Sequence, residues 1–205
     1  MKTIVLKDDD ISRAAEAFLR GGLVAVPTDT VYGLAGNALD AEAVAKIYEV
    51  KGRPSVKPLI LLVADLDVAE TVCAEIPEKA RLLAKEFWPG ALTLVLPRRE
   101  TVPDIVTAGG DTVGVRCPNH AKTLEFLRLV GVPAAAPSAN ISEMPSPVCA
   151  EDVLAYFYGK IDYVIDGGRC SLGAESTIIS LAVEPYKILR HGALPEAEIR
   201  RVLCD

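Results

Sequence analysis

Three cations fall within seven residues at Lys51-Gly52-Arg53-Pro54-Ser55-Val56-Lys57, followed by Pro58. The glycine and prolines hold an irregular backbone between the charges. Such a rigid cationic loop suits a polyphosphate, on which lysine acts as a point charge and arginine as a fork. It also sits at the expected end of a helix, whose C-terminus attracts cations in any case, so the spacing alone leaves both readings open. Four more loops are richer in polar and special-geometry residues than a plain connection needs. Pro27-Thr28-Asp29-Thr30-Val31-Tyr32-Gly33 follows a buried strand and reads as a ligand-facing turn or as an ordinary turn with capping threonines. In Thr112-Val113-Gly114-Val115-Arg116, alternation puts Thr112, Gly114 and Arg116 on one face, with Gly114 leaving room between hydroxyl and guanidinium. A solvent-facing arginine on an edge strand is the plain alternative. Pro137-Ser138-Ala139-Asn140-Ile141-Ser142, with Ser146, offers short neutral donors and acceptors, or a simple Asx/ST turn. Gly173-Ala174-Glu175-Ser176-Thr177 is the last, with Arg190 one strand later. Cations and hydroxyls without an obvious nucleophile point to catalysis by positioning and charge neutralisation, as in transfer at phosphorus.

The elements that must position these loops alternate along the chain. Ile11, Ala14, Ala15, Phe18 and Leu19 share a helical face that Gly21 and Gly22 end. Asp40 is placed to cap a helix with Ala41, Val44, Ala45 and Tyr48 on its apolar side. Further helices are expected within 77–87, before Pro89, and around Leu124, Leu127 and Val130. Strands are expected near the start and at 23–26, 59–63, 92–96, 112–115, 133–136, 162–165, 177–181 and 186–189. The total is about eight strands and five helices, an α/β domain over 1–205 with a mixed sheet and no dividing linker.

Composition narrows the function. Half the residues are hydrophobic and 24% charged, which describes a globular chain with a core. A net charge of −6 and a pI near 5.1 argue against a protein built to grip nucleic-acid backbone and favour a small anionic substrate. The five cysteines are scattered without a CxxC pair, and the histidines are only His120 and His191, so neither a disulfide framework nor a zinc site is expected. His120, after Pro118-Asn119, reads as a helix-start residue. No apolar run is long enough to span a bilayer. MKTIVLKDDD reads as a strand and a helix start capped by Asp8-Asp9-Asp10, not as a signal peptide, which implies the cytoplasm. There is no GxxxxGK[ST] and no GxGxxG, so side chains must do much of any phosphate binding.

Taken in order, PTDTVYGL (27–34), KGRPSVKPL (51–59), WPGALTLVL (88–96), TVGVRCP (112–118), PSANIS with SP (137–142, 146–147) and GAESTII with ILR (173–179, 188–190) closely resemble the YrdC/TsaC family of threonylcarbamoyl-AMP synthases. The resemblance implies one α/β domain with a twisted mixed sheet, flanking helices and a large, positively lined cleft. It implies that L-threonine, bicarbonate and ATP become threonylcarbamoyl-AMP and pyrophosphate. Partner proteins then transfer the threonylcarbamoyl group to an adenosine beside the anticodon of tRNA, which this chain would meet only in passing. Lys51 and Arg53 are implied as the catalytic cations. Arg53, Lys57, Thr112, Ser138, Asn140, Ser146 and Arg190 are implied as ATP contacts, with magnesium arriving on the nucleotide and no protein metal site. Thr30, Arg116, Ser176 and the backbone of Ala136 are implied as threonine contacts.

This chain departs from the family pattern at four positions. Leu62 stands where many members carry a histidine, Lys57 where asparagine is commoner, Glu143 where SANxSG has glycine, and His191 where proline is frequent. Longer relatives carry a linker and a C-terminal domain beyond the last block, without which the ATP site is expected to be more open. A non-catalytic RNA-binding relative is the competing expectation, which the acidity opposes. The carbamoyl-transfer domain of larger hydrogenase-maturation proteins is a third, opposed by the missing upstream CxxC segments. A site that pairs the substrate's hydroxyl should reject an analogue lacking it. Product should therefore form from threonine and not from valine in an adenylate assay, and equal product from both would overturn the placement of Thr30 and Ser176.

Overall fold

The computed structural model describes residues 2–7 and 10–204. In chain order its elements are β1 (Ile4–Leu6), α1 (Ser12–Leu19), β2 (Val24–Val26), β3 (Gly33–Asn37), α2 (Ala41–Lys51), β4 (Ile60–Leu62), α3 (Leu66–Glu70), α4 (Glu78–Phe87) and β5 (Leu92–Pro97). They continue as α5 (Asp104–Thr107), β6 (Thr112–Arg116), α6 (Ala121–Val130), β7 (Ala134–Ala135), α7 (Ala150–Phe157), β8 (Tyr163–Ile165), β9 (Thr177–Ser180), β10 (Lys187–Arg190) and α8 (Glu196–Leu203). The described strands form one sheet in the order β1-β8-β2-β3-β7-β4-β6-β5-β9-β10. Parallel pairs (β1 with β8, β2 with β8, β4 with β6, β5 with β9) are interleaved with antiparallel ones, so the sheet is mixed, as the irregular connections imply.

Period-two alternation sorts the strands' side chains between two cores. Val24 and Val26 join α1 and α6 in one cluster, where Phe18 meets Phe126 edge to face at 5.2 Å. Ala25, between them, faces the larger cluster with Val44, Ile47 and Leu61. Helices thus cover both faces of the sheet, and burial of these apolar faces is the main stabilising contribution.

Several expectations are corrected. β3, in the run GLAGN, has little strand propensity and is held by pairing between β2 and β7. Gly36 is there because α2 lies close: a Cβ would stand 3.0 Å from Ile47 Cδ1 and 3.1 Å from Leu23 Cδ2. Helices α3, α5, α7 and α8 were not placed from the sequence, the first two because four or five residues carry no readable period. Leu19 is exposed and not part of the α1 core face. Residues 8 and 9 lie outside the described residues. The position before α1 is Ile11, which makes no side-chain cap, and Asp10 accepts from the Ser12 hydroxyl instead. On α2 the buried face is Ala43, Val44, Ile47, Tyr48 and Lys51, rotated from the expected one, with Ala41 and Ala45 in water.

Asp40 does cap α2, accepting from the amides of Glu42 at 2.9 Å and Ala43 at 3.3 Å. Asp40→Ala should cost about 1 kcal/mol of unfolding free energy in a urea titration. No measurable loss would mean that solvent satisfies those amides equally well.

Candidate active site

The loops converge on a cavity of about 120 Å³ at the ends of the central strands. Its walls carry three arginines, Arg53, Arg116 and Arg190, and one carboxylate, Glu175. Thr28, Thr30, Ser138 and Ser176 supply hydroxyls, and Leu62 and Ala136 part of the apolar surface.

Arg116 ends β6, where pairing with β4 sets it level with Leu62. It is 5% exposed. Its Nε donates to Gly90 O at 2.8 Å, one terminal nitrogen donates to Thr30 Oγ1 at 2.7 Å and the other to Asp29 Oδ1 at 2.5 Å. Of the five N–H donors of a guanidinium, two remain for a ligand. Burial pulls the Arg116 pKa down, and the adjoining Asp29 carboxylate opposes that shift. Asp29 is itself oriented by the Asn119 amide at 3.0 Å. The Thr28 hydroxyl donates to Val31 O at 2.6 Å, so the 2.9 Å contact between the Thr28 and Thr30 hydroxyls uses the Thr30 proton. What remains on Thr30 Oγ1 is acceptor capacity, which suits an N–H of a bound molecule.

The second half of the cavity is built by the cationic loop and the C-terminal strands. Gly52, in the left-handed conformation (φ 57°), ends α2 and turns the chain. Arg53 then folds back over its own loop, donating to Lys57 O at 3.3 Å and Pro58 O at 3.0 Å. Arg190 donates through Nε to Ser176 O at 3.1 Å and through Nη2 to Ser176 Oγ at 3.2 Å, and its Nη1 pairs with Glu175. The Ser176 hydroxyl also meets Thr93 Oγ1 at 2.8 Å.

Seven expected residues, Thr30, Arg53, Arg116, Ala136, Ser138, Ser176 and Arg190, line this one cavity. Others are placed differently. Lys51 does not line it. Its ammonium is turned inward, 1% exposed, and donates to the carbonyls of Ser138 and Asn140 at 2.5 Å each. Of the two cations implied as catalytic, only Arg53 lies on the cavity wall, and Lys51 lies on the buried face of α2, one turn beyond Ile47. Burial pulls its pKa down to about 7, Arg53 acts in the same direction, and Glu175 opposes. Asn140 is a brace behind the wall, its Oδ1 accepting from Ser138 Oγ at 2.6 Å and its Nδ2 donating to Ile141 O at 2.9 Å. Ser146 reaches the cavity through Glu175, to which it donates at 3.2 Å. Lys57 is exposed and pairs with Glu143 at 3.4 Å. Thr112 is exposed at the far end of β6, opposite Pro97, and does not line the cavity. The space at Gly114 is taken by neighbouring strands, since a Cβ there would lie 3.4 Å from Thr93 Cγ2 and 3.5 Å from Ile60 Cγ1.

Asp29 and Glu175 were given no role from the sequence. Each stood inside a quoted loop, and the one available signal was a carboxylate next to hydroxyls. Among the described residues, no three His, Cys, Asp or Glu side chains come together to hold a metal, and no helix is long and apolar enough to cross a membrane.

A mixed α/β sheet thus presents three arginines and several hydroxyls to one cavity. The Sua5_yciO_yrdC family model, described as "Telomere recombination", matches residues 16–192, and the chain belongs to that family. It is 53% identical over 194 residues to a threonylcarbamoyl-AMP synthase of Pyrococcus abyssi, covering 94% of this chain and 57% of the relative. It is 46% identical over 197 residues to one of Bacillus subtilis, covering 96% of this chain and 57% of the relative. The chain thus spans little more than half the length of these relatives. The crystal structure of P. abyssi Sua5 complexed with L-threonine superposes with a TM-score of 0.94 at 50% identity, covering 98% of this chain and 60% of that one.

Removing Asp29 would leave the Arg116 charge buried without its partner. Asp29→Ala should lower the unfolding free energy by about 3–5 kcal/mol in denaturant titration. A loss below about 1 kcal/mol would mean that water reaches Arg116 and that the pair is a surface one.

Proposed function

We propose that this chain makes threonylcarbamoyl-AMP from L-threonine, bicarbonate and ATP, releasing pyrophosphate, in support of tRNA modification at the adenosine beside the anticodon. The observation that carries the reading is the buried Arg116 with two donors to spare beside Thr30, whose remaining capacity is to accept. That pairing matches the carboxylate and the amino group of an amino acid, and the P. abyssi relative named for its L-threonine complex supports it. We read residues 1–205 as one domain acting in the cytoplasm, with threonylcarbamoyl-transfer proteins as partners and tRNA as a passing one.

The reaction class is adenylyl transfer. The threonine amine and bicarbonate first condense to a carbamate with loss of water, and an oxygen of that carbamate then attacks the α-phosphorus. The bond to the bridging oxygen breaks with its electron pair, and pyrophosphate carries that charge away. Arg53 and Arg190 are the cations on the cavity wall able to stabilise it. Lys51 contributes from behind that wall by fixing Ser138 and Asn140 through their carbonyls. Magnesium comes as part of the nucleotide substrate.

The test is incubation of this chain with threonine, bicarbonate and Mg·ATP, following pyrophosphate and the adenylate. Arg53→Ala should lower pyrophosphate release by about 100-fold or more while calorimetric threonine binding persists. Near-normal turnover of Arg53→Ala at saturating ATP would remove Arg53 from the reaction. Absence of product from the wild-type chain that nonetheless binds threonine and ATP would place the activity outside this domain alone.

A further inference from the structure

One carboxylate stands among the cations of the cavity. Glu175 Oε2 accepts from Arg190 Nη1, and Oε1 accepts from the Ser146 hydroxyl at 3.2 Å. Both donors are ones that the family resemblance implies as ATP contacts. The Glu175 backbone is pinned: its carbonyl accepts from the Ala193 amide at 2.8 Å, and Gly192 packs so closely that a Cβ would stand 2.4 Å from that oxygen. The charge is felt across the site, because it also favours the protonated forms of Lys51 and Arg53. Unlike the Asp29–Arg116 pair, this one is open to water, with side chains 39% and 35% exposed. An ion pair of that kind is weak and exchangeable, whereas a buried pair is not.

We propose that Glu175 is an internal counter-ion, held where a phosphate oxygen of the nucleotide binds and displaced from Arg190 when the polyphosphate arrives. This rests on the proposed function. An incoming oxygen takes over the donors of Arg190 and Ser146, and the carboxylate turns toward the solvent it already touches. It stays nearby as a like charge. It therefore weakens the hold on every phosphate ligand, and most usefully on pyrophosphate, which must leave after the transfer. Glu175 acts here through Arg190 and through its field, as a positioning residue that sets affinity for the leaving group.

The experiment is calorimetric titration of the full chain with magnesium pyrophosphate and with ATP, in wild type, Glu175→Gln and Glu175→Asp. Glu175→Gln should bind pyrophosphate about ten-fold more tightly, with Glu175→Asp near wild type because the charge is kept. Steady-state kcat should fall in Glu175→Gln as release slows, with the KM for threonine unchanged. Unchanged or weaker pyrophosphate binding in Glu175→Gln would overturn the proposal, a weaker one making Glu175 a mere prop for Arg190. Should Glu175→Gln not fold, a crystal structure of the wild-type chain with pyrophosphate decides. A ligand oxygen on Arg190 with Glu175 moved away supports exchange, and Glu175 still on Arg190 overturns it. A wild-type chain that binds neither ATP nor pyrophosphate would overturn the nucleotide site itself, and the counter-ion with it.

Discussion

A guanidinium almost sealed from water must find partners for its donors inside the protein, and at Arg116 that requirement draws four segments together. The end of β6 supplies the charge, the loop after β2 supplies Asp29 and Thr30, the turn after α4 supplies Gly90 O, and Asn119 orients the carboxylate. Each partner is in turn fixed by something else: Gly90 by Cys117 O, Thr30 by Thr28, the Asp29 carbonyl by the Leu172 amide. Desolvating this charge is costly, and the cost is offset only if the whole arrangement closes. The wall beside Thr30 is therefore held by a closed set of partners before any ligand arrives.

The cations fall into two physical kinds. Arg116 and Lys51 are buried, satisfied by neighbours that do not move, and serve as joints: one ties strand ends, the other ties α2 to the Ser138–Asn140 loop. Arg53, Arg190 and Lys57 are partly open to water and are held by loop carbonyls or by single glutamates. The first kind gives shape and the second leaves charge in reach of water. The two do different work although the loop from 51 to 57 mixes both within one short stretch of sequence.

The identity of the loops, their order and the strands that carry them were legible in the sequence, because turn residues and hydroxyls at strand ends are local signals and most of the strands are short apolar runs between them. Asp40 as the cap of α2 was legible for the same reason. The inward aim of Lys51 was legible too and was missed. Ala43, Val44, Ile47 and Tyr48 lie at helical spacing, and Lys51 is the next residue of that stripe, so the correct phase of α2 would have buried it.

Other features had no local signature. β3 exists because β2 and β7 flank it, not because GLAGN favours a strand. Thr112 and Arg116 share a strand face by alternation, yet β6 runs out to the sheet's exposed end, and only its register against β4 and β5 places Arg116 in the cavity and leaves Thr112 outside. Asp29 and Glu175 look alike in sequence, a carboxylate beside hydroxyls. One is sealed against Arg116 and the other left in reach of water because different segments close over them. By itself the sequence determined which residue types the loops carry and where strands and turns fall, through composition, period and turn chemistry acting within a few residues. Only the tertiary structure decided which charges are buried joints and which stay in reach of water, because burial is set by chain segments that are distant in sequence.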